Sequence, residues 1–78
     1  MPVQFKKLDV RRLLAQGIEP FSEIRRRIDA LQPDEGLTVV APFLPSPLIE
    51  KLSAEGFHAQ AEHRSDGSWA VHFSRDED

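Results

Sequence analysis

The chain has 78 residues, a formal net charge of -3 and no cysteine. A chain of this length forms one domain, residues 1–78, and it buries only about 60–65% of the surface that its unfolded form exposes. This composition excludes disulfide bonds and thiol chemistry, and the negative charge disfavours non-specific binding to nucleic acid.

The first predicted element is a short strand, which is followed by an irregular segment. Residues 5–11 alternate imperfectly between apolar and polar side chains, and this pattern predicts a strand. Residues 12–19 contain several apolar side chains but are bounded by Gly17 and Pro20. That combination predicts a loop with one turn of helix.

A helix is predicted to begin at Pro20, because proline lacks the N–H that would be unpaired at a first helical position. Pro33 ends this helix, and Gly36 is assigned to the turn that follows. The apolar side chains recur at helical spacing and form one stripe: Phe21, Ile24, Ile28 and Leu31.

Residues 37–41 give the strongest strand signal, because they are almost continuously apolar and rich in β-branched side chains. Such a run is typical of a central strand. A second helix is predicted to follow, with Ser46 as its N-cap and Pro47 at its first position. Gly56 is the predicted left-handed residue after its end.

The last third of the chain reads as a β-hairpin around a turn at residues 65–67. A three-residue loop pairs Ala61 with Val71, which keeps the apolar side chains on one face. A two-residue loop would instead oppose Glu62 to Val71 and mix polar with apolar side chains. The three-residue loop is therefore the predicted one.

The element order is β-α-β-α-β-β, which predicts an α/β fold. We expect an α+β two-layer sandwich in which two helices cover one face of a mixed four-stranded sheet. The first two strands should be parallel, since a helix connects them. The other face is left to water or to a partner, and it carries His58, Gln60, Glu62, Arg64 and His72.

Residues 8–11 (Leu-Asp-Val-Arg), followed by a loop and a helix that opens with Glu19-Pro20, resemble the signature of the TusA/SirA-like superfamily of small bacterial proteins. That signature is Leu-Asp-x-Arg-Gly and then Cys-Pro-x-Pro at the start of the first helix. In the sulfur carriers of this superfamily the cysteine holds a persulfide. The resemblance therefore implies the same fold and directs attention to the start of the helix.

The departures from this signature matter for function. Arg12 stands at the glycine position, Gly17 at the cysteine position and Ile18 at the first proline position. Persulfide transfer by the protein's own thiol is thus excluded. The chain resembles the cysteine-less branch, domain of unknown function 2249, more closely than it resembles the sulfur carriers, and for this branch the resemblance implies a fold and no established activity.

Two surfaces are candidate sites. The first is the loop before the helix at Pro20, where free N–H groups and the helix dipole attract anions. Its candidate residues are Arg11, Arg12, Gly17, Glu19 and Pro20. The competing interpretation is that Pro20 and Glu19 only start the helix.

The second candidate surface is the open sheet face, with His58, Gln60, Glu62 and His72 as its candidate residues. The two histidines and Glu62 have side chains of the types that bind metal ions, but their spacing matches no ligand motif. We therefore expect no metal and no other cofactor. The serines lack a recognisable base partner, so no catalytic residue is predicted.

The sequence therefore favours a small non-catalytic binding or adaptor domain that contacts another protein. One alternative is an accessory protein in sulfur or redox metabolism that binds a small anion or cofactor. Another is an RNA-binding module that uses the basic cluster of Arg25, Arg26 and Arg27 with Arg11 and Arg12, although the net charge makes a nucleic-acid partner unlikely. The chain shows neither an apolar leader nor about 18 consecutive apolar residues, so we expect a cytoplasmic protein without membrane contact. Residues 1–4 and 76–78 are expected to be flexible.

Overall fold

The computed structural model describes residues 3–75. Its elements are β1 (Gln4–Asp9), α1 (Arg11–Ala15), α2 (Phe21–Asp29), β2 (Glu35–Ala41), α3 (Ser46–Ala54), β3 (Phe57–His63) and β4 (Trp69–Arg75). The predicted flexible ends fall mostly outside the described residues, but Gln4 lies in β1. None of the helices in the described part of the chain has the length and apolar content needed to cross a bilayer.

The four strands form one sheet in the order β1-β2-β4-β3. β1 and β2 are parallel, whereas β2–β4 and β3–β4 are antiparallel. Apolar side chains of α2, α3 and one sheet face belong to one core cluster, so the helices cover a single face. The predicted mixed four-stranded α/β sandwich is therefore confirmed, with one additional short helix.

The additional helix is α1, which begins at Arg11, a residue that the sequence pattern had assigned to the first strand. β1 ends at Asp9, whose carboxylate Oδ1 accepts a hydrogen bond of 3.0 Å from the Arg11 N–H. This bond satisfies an N–H at the start of the helix, which has no partner within the helix. Leu13 and Leu14 of α1 pack against the core, so the predicted turn of helix becomes a complete short helix.

The apolar stripe of α2 is confirmed, because Ile24 and Ile28 are buried in the core. The helix begins at Phe21, one residue later than predicted. Pro20 precedes it, and the Pro20 carbonyl accepts the first helical hydrogen bond from the Ile24 N–H, at 3.0 Å. Pro20 therefore still sets the start of the helix.

The start of α3 differs from the prediction. Ser46 is the first helical residue, and its side chain makes no capping hydrogen bond. Its N–H donates to the Leu44 carbonyl oxygen at 2.9 Å, so the preceding loop, rather than a hydroxyl, satisfies it. At the other end Gly56 has φ +94, which confirms the predicted left-handed residue after the helix.

The hairpin has the predicted register, with Ala61 opposite Val71. The Arg64 N–H donates to the Ser68 carbonyl oxygen at 2.8 Å, which closes a three-residue loop. Gly67 has φ +88, as expected for glycine in a bulge of this type. At the end of the hairpin His63 pairs with Trp69, and their rings stack with centroids 4.4 Å apart.

Gly36 does not lie in a turn. It is a buried residue of β2 and pairs with Phe5 of β1. A side chain at this position would meet the Phe5 ring and the Phe73 carbonyl oxygen. The glycine is therefore required for close packing within the sheet and not for chain reversal.

Candidate functional site

An apolar cavity of about 230 Å³ opens at the carboxyl ends of β1 and β2. In open α/β sheets this edge is where ligands commonly bind, since loops from neighbouring elements meet there. One carboxylate and eleven apolar residues line it: Glu19, Val10, Leu14, Pro20, Phe21, Ile24, Val39, Ala41, Phe43, Pro45, Pro47 and Leu48.

The loop between β2 and α3 forms part of the wall of this cavity. Pro42 and Pro45 restrict the loop, and between them Phe43 is 55% exposed and Leu44 is 40% exposed. Phe43 lines the cavity, so an exposed aromatic ring borders it. Sequence reasoning missed this feature, because it assigned no role to Phe43 or Leu44.

The predicted site residues Glu19 and Pro20 lie in the cavity wall. The Glu19 carboxylate accepts hydrogen bonds from the Phe21 N–H, the Ser22 N–H and the Ser22 hydroxyl, the last at 3.1 Å. Desolvation acts to raise the pKa of Glu19, but these hydrogen bonds outweigh it and leave the pKa below its usual value. Glu19 is therefore an ionised cap on α2 that occupies the donors an anion would use.

The predicted site residue Arg11 takes part in a structural link. Its Nη2 lies 2.7 Å from Asp9 Oδ2 and its Nη1 lies 3.5 Å from Asp66 Oδ2. The guanidinium thus connects the end of β1 to the turn between β3 and β4. Arg12 and Gly17 are exposed and do not line the cavity, so the structure brings together only part of the predicted loop site.

The four predicted residues of the open face, His58, Gln60, Glu62 and His72, lie on the sheet face opposite the helices. Gln60 pairs directly with His72 across β3 and β4. His72 Nε2 lies 3.3 Å from Glu62 Oε1.

Two neighbours of His72 were missed from the sequence. His72 Nδ1 lies 2.8 Å from the Thr38 hydroxyl, and the Phe5 ring meets the imidazole edge with centroids 5.5 Å apart. The β2–β4 register places Thr38 opposite His72, but the sequence pattern does not fix which strands are neighbours. These contacts hold the imidazole in one orientation.

The series Glu62, His72 and Thr38 joins a carboxylate, an imidazole and a hydroxyl, as in nucleophilic hydrolases. Thr38, however, is only 9% exposed, so a substrate could not reach its hydroxyl in this conformation. The series is best explained as a polar support for the sheet. Among residues 3–75 no group of three or more His, Cys, Asp or Glu side chains could hold a metal ion.

A family model described as "Uncharacterized conserved protein (DUF2249)" matches residues 7–75. The chain belongs to this family. No curated protein and no solved structure gave a significant match. The DUF2249 match includes every residue of the cavity and all four predicted residues of the open face.

The arginines of α2 in this DUF2249 domain do not form one basic patch. Arg25 Nη2 lies 2.6 Å from Glu55 Oε1, and Arg26 and Arg27 both pair with Glu23. Their charges are largely balanced by local carboxylates. A nucleic acid would have to compete with these pairs, so this helix gives little support to RNA binding.

We expect the DUF2249 domain to lose stability between about pH 4 and pH 2 as Asp9 becomes protonated. The hydrogen bond from the Arg11 side chain holds the pKa of Asp9 at about 2 in the folded protein. The unfolded value is about 3.9, so the stabilisation is complete above that pH and is lost as the pH falls through the folded value. Because the Asp9 side chain is 30% exposed, solvent screening reduces the expected gain to about 1 kcal/mol.

Urea denaturation of the wild type and Asp9→Asn at several pH values measures this contribution. The two proteins should differ by about 1 kcal/mol at neutral pH and converge near pH 2. Asp29→Asn, at an exposed helix position, is the matched control and should change stability little at either pH. A pH-independent difference for Asp9→Asn would contradict the assignment.

Proposed function

We propose that this DUF2249 protein is a small, non-catalytic binding or adaptor domain that takes an apolar side chain of a partner protein into its cavity. The observation that carries the proposal is the open apolar cavity of about 230 Å³ beside the exposed Phe43. Exposed aromatic and aliphatic side chains beside a preformed apolar recess are typical of protein recognition sites. The partner is expected to be a cytoplasmic protein.

The size and chemistry of the cavity limit what can occupy it. An apolar cavity of about 150 Å³ is large enough to bind benzene, so a cavity of about 230 Å³ accommodates one phenylalanine, leucine or methionine side chain. Burying such a side chain contributes roughly 1.5–3 kcal/mol. The cavity therefore acts as a single anchor point within a larger contact.

The N-terminal ends of α2 and α3 border the cavity, but they offer few free N–H groups to an anion. Glu19 occupies the Phe21 and Ser22 N–H groups of α2. At α3 the Ser46 N–H is bonded to Leu44, and Pro47 has no N–H. The alternative of an accessory protein in sulfur or redox metabolism that binds a small anion therefore has less support than an apolar occupant.

We also propose that the chain has a TusA/SirA-like fold and has lost the sulfur-carrying cysteine of that superfamily. The element order and the parallel β1–β2 pair support it. Gly17, at the position that corresponds to the cysteine, lies in the loop between α1 and α2, next to Glu19 and Pro20 of the cavity wall. A loop that once presented a reactive group would then serve for partner contact.

Photo-crosslinking tests the proposal. p-Benzoylphenylalanine in place of Phe43 should capture one protein from the native cytoplasm, whereas the same group in place of Gln60 on the open face should not capture it. Ala41→Met extends a side chain into the cavity and should reduce capture at least about tenfold, which corresponds to about 1.4 kcal/mol.

Ala54→Met, at an exposed position of α3, is the matched control and should leave capture unchanged. Trp69 fluorescence verifies that both variants are folded. Equal capture by the wild type and Ala41→Met would overturn the cavity as the binding site. Capture of the same protein only from the Gln60 position would move the site to the open face.

A further inference from the structure

The outer edge of β3 is an accessible strand edge with unusually little protection. Within residues 3–75 no strand pairs with it, because β3 is the last strand of the sheet. Proteins usually protect such edges with charged side chains, above all lysine, with proline, with β-bulges or with very short strands. β3 has seven residues, no lysine or proline, Glu62 as its one acidic side chain and an uninterrupted register with β4. The opposite edge strand, β1, carries Lys6 and Lys7.

The hydrogen bonds with β4 show which backbone groups of β3 face outward. The Arg64 N–H donates to the Ser68 carbonyl oxygen, so this pair is a hydrogen-bonded one. In an antiparallel ladder hydrogen-bonded and non-hydrogen-bonded pairs alternate. The even-numbered residues of β3 therefore bond to β4. The odd-numbered ones direct their N–H and C=O groups outward: Phe57, Ala59, Ala61 and His63.

We propose that β3 pairs antiparallel with β3 of a second copy of this chain, across a two-fold axis at Gln60, and so forms a continuous eight-stranded sheet. In this register Ala59 lies opposite Ala61 of the second copy, and their outward backbone groups bond to each other. Phe57 and His63 do the same at the ends of the strand. All outward N–H and C=O groups of the seven-residue edge are thereby satisfied.

The side chains of β3 are self-complementary in this register. On the open face His58 lies opposite Glu62 of the second copy, and the two-fold axis repeats this pair. Opposite charges or hydrogen-bonding groups directly across strands stabilise a sheet, whereas like charges destabilise it. Shifting the register by two residues removes the pair, because it opposes either His58 to Arg64 or Glu62 to Gly56.

The helix face of the same edge also allows close approach. The two side chains there in mid-strand are alanines, of which Ala59 is half-buried and Ala61 is exposed. Helix α3 packs near β3 but leaves Ala61 uncovered, so a second strand can approach. The small side chains create no steric obstacle.

The expected dimer is weak. Seven residues at about 3.4 Å each give a contact about 24 Å long, and edge pairing alone buries less area than a standard stable interface. A dissociation constant in the micromolar range or weaker is therefore expected. Analytical ultracentrifugation of the full chain at about 10–500 µM should show the mass rising from 8.9 kDa towards twice that value. A monomer throughout would overturn the proposal.

Charge exchange tests the His58–Glu62 pair. His58→Glu alone and Glu62→Lys alone should each weaken association at least about tenfold, because like charges would then face each other or an attraction would be lost. The double variant should restore association to the wild-type level or beyond. Glu50→Lys, an equal charge change at an exposed position of α3, is the control. Failure of the double variant to recover association would contradict this pair.

Disulfide trapping tests the register, which is simple in a chain without cysteine. Gln60 faces its own copy across the axis in a non-hydrogen-bonded pair, where the Cα atoms of opposed residues are about 4.5 Å apart. Gln60→Cys should therefore form a covalent dimer at least about tenfold faster than Arg64→Cys, an exposed position whose thiols would be eight residues apart in register and whose replacement leaves the His58–Glu62 pair intact. Equal rates would overturn this pairing. Ala41→Met, which fills the cavity, should not change the rate, so this result is independent of the proposed partner site.

Discussion

Replacing Phe73 with alanine is expected to cost about 3–5 kcal/mol of folding free energy, because it removes the largest fully buried side chain of the core. Phe73 has no exposed surface and lies in β4, a central strand that is paired on both sides. Its neighbours cannot collapse into the space without moving the sheet, so most of the cavity should remain. Since a domain is stabilised by only about 5–15 kcal/mol in total, a large part of the stability would be lost.

Guanidinium chloride denaturation, followed by the fluorescence of Trp69, measures this loss. Trp69 is the single tryptophan and stacks on His63, so unfolding changes its surroundings. Phe43→Ala is the matched control, because it makes the same change at a 55% exposed position and should cost less than about 0.5 kcal/mol. Similar losses for both variants would show that the core does not depend on Phe73.

The elements that could be predicted from the sequence are those whose signals are local. The spacing of Ile24 and Ile28 on α2 identified both the helix and its buried face. Alternation within the hairpin selected a register, since a shift of one residue would have exposed Val71. Local patterns of this kind report the direction in which a side chain points, and a small core leaves few arrangements that satisfy them.

The features that the sequence did not reveal depend on contacts between distant segments. The link between Arg11 and Asp66 joins residues 55 positions apart. The contact between Thr38 and His72 depends on β4 lying beside β2, and no local signal fixes that order. The prediction that Ser46 is an N-cap was wrong for a related reason. The preceding loop places the Leu44 carbonyl oxygen where it accepts the hydrogen bond of the Ser46 N–H.

The candidate site was likewise predictable only where its signals are local. Glu19 and Pro20 were singled out as the start of a helix, and the structure places both in the wall of the cavity. The cavity itself combines residues from three helices, from the strand β2 and from the segments that connect these elements, so no single segment encodes it. The sequence of the loop before α2 did not reveal that the cavity is apolar, because the loop contains the charged residue Glu19. In the structure the Glu19 carboxylate is bonded to N–H groups of α2 as a helix cap.

Gly36→Ala is expected to destabilise the domain by about 3 kcal/mol, the upper end of the range for overpacking. The added Cβ would lie 2.5 Å from Cε1 of Phe5 and 2.6 Å from the carbonyl oxygen of Phe73. The Phe5 ring is 46% exposed and can rotate away, but the carbonyl oxygen belongs to the backbone of the neighbouring strand. The sheet itself must therefore shift, and that shift accounts for most of the expected loss.

A double-mutant cycle separates the two obstacles. Combining Gly36→Ala with Phe5→Ala should recover about 1 kcal/mol, the part due to the ring, and leave the part due to the backbone oxygen. Denaturation with Trp69 fluorescence again provides the measurement. Complete recovery in the Phe5→Ala background would show that the ring was the sole obstacle. A wild-type stability for Gly36→Ala alone would instead show that β2 and β4 have room for a Cβ at this position.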